Sequence, residues 1–238
     1  YDKISSFEAF SNVKMNQGDT LFLYGDRLYY DGNTQIAEVR MNVRMENRNT
    51  TLLTDSLNYD RVYNLGYFFD GGTLMDEQNV LTSEWGQYNP GTKQSVFNYN
   101  VKLVNPQFTL TSDTLEYNTA SKIANIVGPS DILSDNNHIY SEKGTYNTVT
   151  GKAYLLDRSV LTNEGKQLTG DSLFYDRNEG LGEAFRNMVL TDTVNKNMMT
   201  GEYGYYNEKK KYAFATDKAV AVDYSQGDSL FLHGDTLL

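Results

Sequence analysis

The chain has 238 residues, with 21 lysines and arginines against 31 aspartates and glutamates, and its net charge at pH 7 is −10. This balance excludes a nucleic-acid partner held by bulk positive charge, and the absence of cysteine excludes disulfides and thiol chemistry. No apolar run reaches the roughly 18 residues that a membrane-spanning helix needs. Tyr1 is not followed by the apolar stretch of a secretory signal, so we expect any targeting signal to have been removed.

A tyrosine followed by aspartate or asparagine recurs at steps of 29 residues, with a last step of 31. The pairs begin at Tyr30, Tyr59, Tyr88, Tyr117, Tyr146, Tyr175 and Tyr206. Such a period predicts stacked repeats, each packed on its neighbours. We expect residues 1–238 to form a single elongated domain of about eight units. Because Gln226 to Leu237 repeat the pattern of Gln17 to Leu28, we also expect the chain to be a fragment of a longer protein.

The predicted elements of each unit are about two strands, because apolar residues alternate with polar ones instead of recurring at helical spacing. In chain order, the alternating apolar positions are Val39, Met41, Val43, Leu57, Tyr59, Phe97, Tyr99, Val101, Leu103, Leu115, Tyr117, Leu173 and Tyr175. Turn-forming residues lie between the strands, as at Asp70-Gly71-Gly72 and Asn89-Pro90-Gly91. No amphipathic helix is predicted.

Two all-β architectures fit this pattern. One is a parallel β-helix, and the other is an open antiparallel roll whose strands fold back across a V-shaped cross-section. Tyrosine-rich strands, short turns and only two strands per repeat favour the antiparallel roll over the alternative parallel β-helix. The mouth of such a roll would expose an apolar groove.

An acidic residue precedes each tyrosine of the repeat by four positions. We interpret these acids as caps of backbone amides at a bend, and a ladder of calcium sites is the less favoured alternative. The residue two places after the acid alternates between leucine and glycine. One hypothesis is that Gly86, Gly144 and Gly204 make room for a ligand chain along one wall while the leucines, such as Leu57, close the opposite wall. The alternative is that these glycines mark bulges or tight bends.

Candidate catalytic residues are few. His138 and His233 are the only histidines and fall in unrelated phases of the repeat, so we expect neither to act as a base. Regular repetition of the acids indicates a structural rule, although a polysaccharide-acting β-helix enzyme with paired carboxylates stays open as an alternative. We predict no enzymatic activity, no cofactor and no metal site. The basic run Lys209 to Lys211 is interpreted as a solvated turn.

Three segments carry a family resemblance: residues 41–60 (MNVRMENRNTTLLTDSLNYD), 100–118 (NVKLVNPQFTLTSDTLEYN) and 168–176 (LTGDSLFYD). Their pattern resembles the OstA-like family of lipopolysaccharide transport proteins, which includes LptA and the N-terminal domain of LptD. The likeness spans essentially the whole chain. It departs from the family pattern where glycine replaces leucine in alternate repeats, and at Gly128-Pro129, which replaces the usual Asn-Val.

The resemblance implies a twisted antiparallel β-jellyroll, open along one edge, that holds acyl chains inside and joins copies end to end. It implies a non-enzymatic transport bridge in a Gram-negative periplasm, with an association with the outer membrane left open. The implied partners are lipopolysaccharide or a related glycolipid, and other Lpt-type proteins or the chain itself through terminal β-strands. The candidate groove residues are the alternating apolar positions given above together with Gly86 and Gly144.

The alternative function is a structural or interaction β-solenoid with a closed core and no lipid ligand. The two differ in one simple property, because a transport groove needs an accessible apolar lining and a scaffold needs a buried one. Solvent exposure at Val39, Phe97 and Tyr117 therefore distinguishes them.

Overall fold

The computed structural model describes residues 5–134, 136–157 and 159–238, and these residues form strands and turns without a helix. Accordingly, no helix long and apolar enough to cross a membrane occurs in the described residues. The strands are β1 (Ser6–Gln17), β2 (Leu21–Asp31), β3 (Ile36–Asn47), β4 (Thr50–Asp60), β5 (Leu65–Phe68), β6 (Gly72–Asp76), β7 (Asn79–Ser83), β8 (Trp85–Tyr88), β9 (Gln94–Asn105), β10 (Phe108–Asn118), β11 (Ile123–Ile126), β12 (Ser130–Ser134), β13 (Asn137–Ser141), β14 (Lys143–Asn147), β15 (Lys152–Leu156), β16 (Val160–Asn163), β17 (Lys166–Thr169), β18 (Ser172–Asp176), β19 (Leu181–Asp192), β20 (Asn197–Asn207), β21 (Tyr212–Asp223) and β22 (Leu230–Leu237).

Neighbouring strands pair antiparallel, as β1 does with β2, β7 with β9, and β19 with β20. The prediction of an antiparallel all-β fold is therefore confirmed, and the parallel β-helix is not needed. The described residues divide into two compact units. The first contains the described residues up to Pro106 with Thr111–Lys122, and the second contains Gln107–Leu110 with Ile123–Leu238. The expected single elongated domain stays a prediction.

In the first unit the strands form two antiparallel ladders. Each long strand contributes residues to both ladders, and where short strands replace a long one, each short strand belongs to one ladder. Ladder A consists of residues 6–10, 27–31, 36–40, 56–60, 65–68, 85–88 and 95–98. Ladder B consists of residues 13–17, 21–25, 43–47, 50–54, 72–76, 79–83 and 102–104. The two ladders face each other across the core, because the sulfur of Met45 in ladder B lies over Gly66 in ladder A.

The long strands bend between the ladders at pairs of residues with left-handed backbone. In β3 these are Met41 (φ 62°) and Asn42 (φ 53°), and in β9 they are Tyr99 (φ 66°) and Asn100 (φ 53°). The pairing register shifts across the bend of β3, between Arg40 and Val43. A residue pair in this conformation turns the chain and re-aims its side chains, as a β-bulge does.

At these bends the predicted inward direction of two side chains is wrong. Met41 and Tyr99 were expected to line the apolar interior, but they are 52% and 63% exposed. Strict alternation holds only for a regular strand, and the left-handed pair interrupts it. The positions on either side, such as Val39 and Val43, keep the predicted inward direction and are buried.

The alternating leucines and glycines lie in one cross-strand row, not on opposite walls. In the first unit Leu57 pairs with Phe68, Phe68 with Gly86, and Gly86 with Phe97. In the second unit the row runs through Ile126, Gly144, Leu155, Leu173, Ala184, Gly204 and Ala215. The hypothesis that leucines and glycines form opposite walls is therefore wrong, because antiparallel pairing places them in one row of the same ladder.

Gly86 makes room for its neighbours' rings. A Cβ at this position would lie 2.5 Å from Cζ of Phe68 and 3.0 Å from Cδ1 of Phe97. Two large aromatic side chains thus cover the glycine between them. The alternative interpretation expected a bulge or a tight bend at this glycine, whereas the structure has a regularly paired strand residue between two phenylalanine rings.

The polar member of each Tyr-Asp or Tyr-Asn pair caps a turn. The Asp60 carboxylate accepts hydrogen bonds from the backbone N–H groups of Val62 at 2.8 Å and Tyr63 at 3.0 Å. The same arrangement recurs at Asn89, Asn118, Asn147 and Asp176. Asp and Asn suit this role because their short side chains reach the backbone two and three residues ahead. The tyrosine, one position earlier, points into the core.

Candidate functional site

The candidate groove residues lie in a packed interior. Val39, Phe97 and Tyr117 are each 0% exposed. The other buried members of the predicted set are Val43, Leu57, Tyr59, Gly86, Val101, Leu103, Leu115, Leu173 and Tyr175, and Gly144 is half-buried. By the exposure criterion stated above, this state of the molecule has a closed core. Only Met41 and Tyr99 of the set are exposed, at the bends.

A row of polar side-chain contacts closes the first unit at the end opposite the bends. Here the tyrosine hydroxyls of ladder A reach the strand ends of ladder B: Tyr59 donates to Gln17 at 3.0 Å and Tyr88 donates to Asn47 at 3.2 Å. We call this row the seam. Burial raises the pKa of Tyr59 to about 12, so its hydroxyl stays protonated and able to donate.

The third tyrosine of the seam belongs to a buried network. The Tyr117 hydroxyl donates to the Asp76 carboxylate at 2.8 Å and accepts from the Asn79 amide at 2.9 Å. Lys122 contacts both oxygens of Asp76, at 2.9 and 2.8 Å, and approaches Glu77 at 3.2 Å. The Asp76 side chain is only 2% exposed, so this ion pair is largely removed from water. Such a network fixes the two ladders in one relative position where they meet.

The seam cations come from one column of the repeat, the fifth residue after each tyrosine. In the first unit this column contains Gln35, Asn64, Lys93 and Lys122, and all four have left-handed backbone. The Asn64 side-chain oxygen lies 2.5 Å from the Tyr59 hydroxyl oxygen, Lys93 donates to Asn47, and Lys122 pairs with Asp76. The turns thus direct the side chains of Asn64, Lys93 and Lys122 across the seam.

The second unit has corresponding contacts built from other residues. Its column holds Gly151 and Gly180, and the Arg177 side chain occupies the space beside Gly151. Arg177 donates to the Tyr146 hydroxyl at 2.9 Å and to the Gln107 side chain at 2.5 Å. Lys211, the next column member, pairs with Glu164 at 2.9 Å.

An open cavity of about 200 Å³ lies at the seam of the first unit. Its lining includes three cations, Arg48, Lys93 and Lys122, and two carboxylates, Asp76 and Glu77. Lys122 binds both carboxylates, whereas no carboxylate of the described residues lies within ion-pair distance of Arg48 or Lys93. Burial, together with the nearby positive charge of Arg48, lowers the pKa of Lys93.

The acidic column lies at the bends, as predicted. Asp55 accepts a hydrogen bond from the backbone N–H of Asn42 at 3.4 Å, while Asp26 accepts from the Asn42 side chain at 2.6 Å. Glu84 binds the Asn100 side chain in the same way, at 2.5 Å. The acids therefore hold the bend through an asparagine as well as through backbone amides. Among the described residues, no three histidine or carboxylate side chains form a group that could hold a metal ion.

The sequence reasoning missed the seam cations. A signal was available, because Lys93 and Lys122 are themselves 29 residues apart and each follows a repeat tyrosine by five positions. Their partners Asn47 and Asp76 are also 29 residues apart, but each is separated from its lysine by 46 residues, so spacing alone does not pair them. Only the pairing of the ladders brings them together.

With this geometry in place, comparison with known proteins shows that residues 1–113 and 109–171 match the family described as OstA-like protein. The chain belongs to the OstA-like family. Members of the OstA-like family are non-enzymatic transport proteins, which agrees with the prediction that this chain is not an enzyme.

Among solved structures, one similar to this OstA-like chain is the crystal structure of LptH, the LptA homologous periplasmic component of the conserved lipopolysaccharide transport device from Pseudomonas aeruginosa. The identity is 13%, the match covers 60% of this chain and 85% of that chain, and the TM-score is 0.27. No curated protein sequence matches the chain.

Proposed function

We propose that this OstA-like protein binds lipopolysaccharide or a related glycolipid in the periplasm and forms part of a transport bridge. The acyl chains lie between the two ladders, in contact with the inward row of apolar side chains. The observation that carries the proposal is this row, which continues without a charged residue from Leu57 through Phe68 and Gly86 to Phe97. Each Å² of apolar surface that the lipid covers contributes about 25 cal/mol to the free energy of binding.

Acyl chains enter this interior only when the ladders separate. The bends join the ladders through the backbone, whereas the seam joins them through side chains, such as Tyr88 with Asn47 at 3.2 Å. Side-chain hydrogen bonds of this kind contribute about 1 kcal/mol each, so the seam is the weaker edge. We therefore place the opening for lipid at the seam.

A second candidate function is a structural or interaction scaffold with a closed core and no lipid. The complete burial of Val39, Phe97 and Tyr117 favours it, because each is 0% exposed. The two functions differ in whether the interior ever admits a ligand.

Photo-crosslinking tests the proposal directly. A photoreactive residue replaces Tyr117, whose side chain points inward, and we expect it to capture purified lipopolysaccharide. The matched control is the same replacement at Glu116, which lies one position earlier on the opposite face of β10. Capture at 117 without capture at 116 supports transport. Capture at neither position, in protein that retains its β-sheet circular dichroism, favours the scaffold.

We further propose that copies join through β1 and β22. The sequence of β22 repeats that of β2, yet Leu230 and Leu232 are 71% and 58% exposed, whereas their counterparts Leu21 and Leu23 are 5% and 2% exposed. The difference arises because β2 is covered by β3 on one side, and no described strand covers β22 there. An uncovered strand with apolar side chains is a template for strand addition.

The strand that fits β22 is β1 of a second copy. Residues 12–15 of β1, Asn-Val-Lys-Met, repeat residues 42–45 of β3, Asn-Val-Arg-Met. Since Leu23 of β2 pairs with Met45 of β3, the same register would pair Leu232 with Met15 of the second copy. Other OstA-like proteins with a similar first strand would join in the same way.

Cysteine crosslinking tests this register, since the chain contains no cysteine of its own. We expect a Leu232→Cys variant and a Met15→Cys variant to form a mixed disulfide dimer on oxidation, because paired strand residues lie about 5 Å apart. Replacing Lys14 by cysteine provides the control, since its side chain faces the other side of β1. Equal yields from Met15→Cys and Lys14→Cys would contradict the register.

A further inference from the structure

The cavity at the seam of the first unit has the features of an anion site. It is lined by Arg48 and Lys93, whose charges are not neutralised by any described carboxylate, beside the Lys122 pair with Asp76 and Glu77. Three cations against two carboxylates leave an excess of positive charge here. This excess stands out in a chain whose net charge is −10.

The backbone at this cavity holds the cations in an unusual conformation. Arg48 has φ 57° and Lys93 has φ 66°, values that few residues other than glycine adopt. Two other members of the Lys93 column are glycines, Gly151 and Gly180, with φ 68° and 60°. Lysine adopts this backbone conformation less readily than glycine does, but it places a charged side chain across the seam.

Lys93 and Arg48 also repel one another in the present state. Nζ of Lys93 donates to the neutral side-chain oxygen of Asn47, and Arg48 directly follows Asn47 in the chain. The nearby guanidinium and partial burial both lower the pKa of the lysine. A bound anion would offset this repulsion, since its negative charge would lie close to both cations.

The chemistry of the lining selects a phosphoryl group. A phosphate monoester carries a charge between −1.5 and −2 near pH 7, opposite in sign to the local excess of one positive charge at the cavity. A guanidinium binds phosphate oxygens in a two-pronged fashion, and a lysine ammonium binds them as a point charge. A cavity of about 200 Å³ is large enough for such a group.

The cavity also adjoins the apolar interior. Asn47, which accepts the hydrogen bonds from Tyr88 and Lys93, lies between the cavity and the tyrosine rings of the core. An anion held here would therefore be close to any apolar chain that lay between the ladders.

We propose that the seam cavity of the first unit binds a phosphoryl group through Arg48 and Lys93, and that the group is the phosphorylated head of the lipid whose chains occupy the interior. The identity of the lipid source rests on the proposed function, whereas the anion site itself does not. Binding of the anion replaces the contact of Lys93 with Asn47, so that head-group recognition and opening of the seam occur together.

The first experiment uses inorganic phosphate and does not depend on a lipid. Calorimetric titration of the whole chain is expected to show phosphate binding that weakens as sodium chloride is added. The variants Arg48→Gln and Lys93→Gln are each expected to weaken it about tenfold. Lys102→Gln, which removes one exposed lysine of β9, is the charge-matched control and is expected to leave binding unchanged. Phosphate affinity that is equal in all four proteins would overturn the proposal.

The second experiment identifies the source of the phosphoryl group. Binding of lipid A micelles is compared with binding of lipid A whose phosphates have been removed enzymatically. If the lipid is the source, Arg48→Gln and Lys93→Gln weaken binding of the intact lipid and leave the dephosphorylated lipid unaffected. Weakened binding of inorganic phosphate with unchanged binding of intact lipid would make free phosphate the ligand and separate the site from transport.

The same pair of experiments keeps the two proposals apart. Phosphate binding without any lipid binding would contradict the transport function and leave the anion site standing. Lipid binding that neither variant alters, together with absent phosphate binding, would contradict the anion site alone. Lys93→Arg, which restores the charge, is expected to recover most of the phosphate affinity if the lysine acts through its cation.

Discussion

Replacing Gly86 by leucine is expected to lower the free energy of unfolding by about 3 kcal/mol. The position has no free volume, because even a Cβ would lie 2.5 Å from Cζ of Phe68. Leucine must displace the Phe68 and Phe97 rings from the core, where both are 0% exposed. Chemical denaturation followed by circular dichroism measures the change. Gly128→Ala is the control, since a Cβ there meets no atom within 4 Å, and a change below about 0.5 kcal/mol is expected.

A second variant shows whether the ring contact is the cause. Gly86→Ala and Phe68→Leu should each destabilise the protein, but the double variant should be more stable than the sum of the two effects predicts. The shorter leucine at position 68 leaves room for the new methyl group. Strictly additive losses would mean that Gly86 is needed for a reason other than the Phe68 ring.

Replacing Lys122 by methionine is expected to cost about 3 kcal/mol of stability. The Asp76 carboxylate, 2% exposed, would lose its counter-ion and keep only the hydroxyl of Tyr117 among the contacts described above. An uncompensated buried charge is more costly than a missing surface ion pair. Urea denaturation at neutral pH measures the loss, and Lys102→Met, at an exposed strand position, gives the value for removing a lysine without a buried partner.

The double variant Lys122→Met with Asp76→Leu distinguishes a pair effect from a packing effect. Removing both charges leaves no buried ion, so most of the lost stability should return. A double variant as unstable as Lys122→Met alone would show that the lysine contributes through its packing at the seam and not through its charge.

Much of the fold could be predicted from spacing. A 29-residue period with alternating apolar residues requires paired strands that keep one face buried, and the turn residue Asp or Asn of the repeat fixes where one strand of each repeat ends. The inward direction of Val39, Leu57 and Tyr117 followed from this rule and is what the structure has. The direction of Met41 and Tyr99 did not follow, because two consecutive left-handed residues at the bend are a backbone choice that alternation does not encode.

The sequence by itself determined the repeat, the all-β class and the membership of the OstA-like family, because these depend on local pattern. The tertiary structure decided that the strands pair antiparallel, since the same local alternation also fits a parallel β-helix. The tertiary structure alone decided that the interior is closed and that Lys93 and Lys122 close it. Those contacts join residues 46 positions apart, and their geometry depends on how two ladders face each other. It also decided that Leu57 and Gly86 lie in one row on either side of Phe68, since strand register places them there and no local pattern states which strand lies beside which.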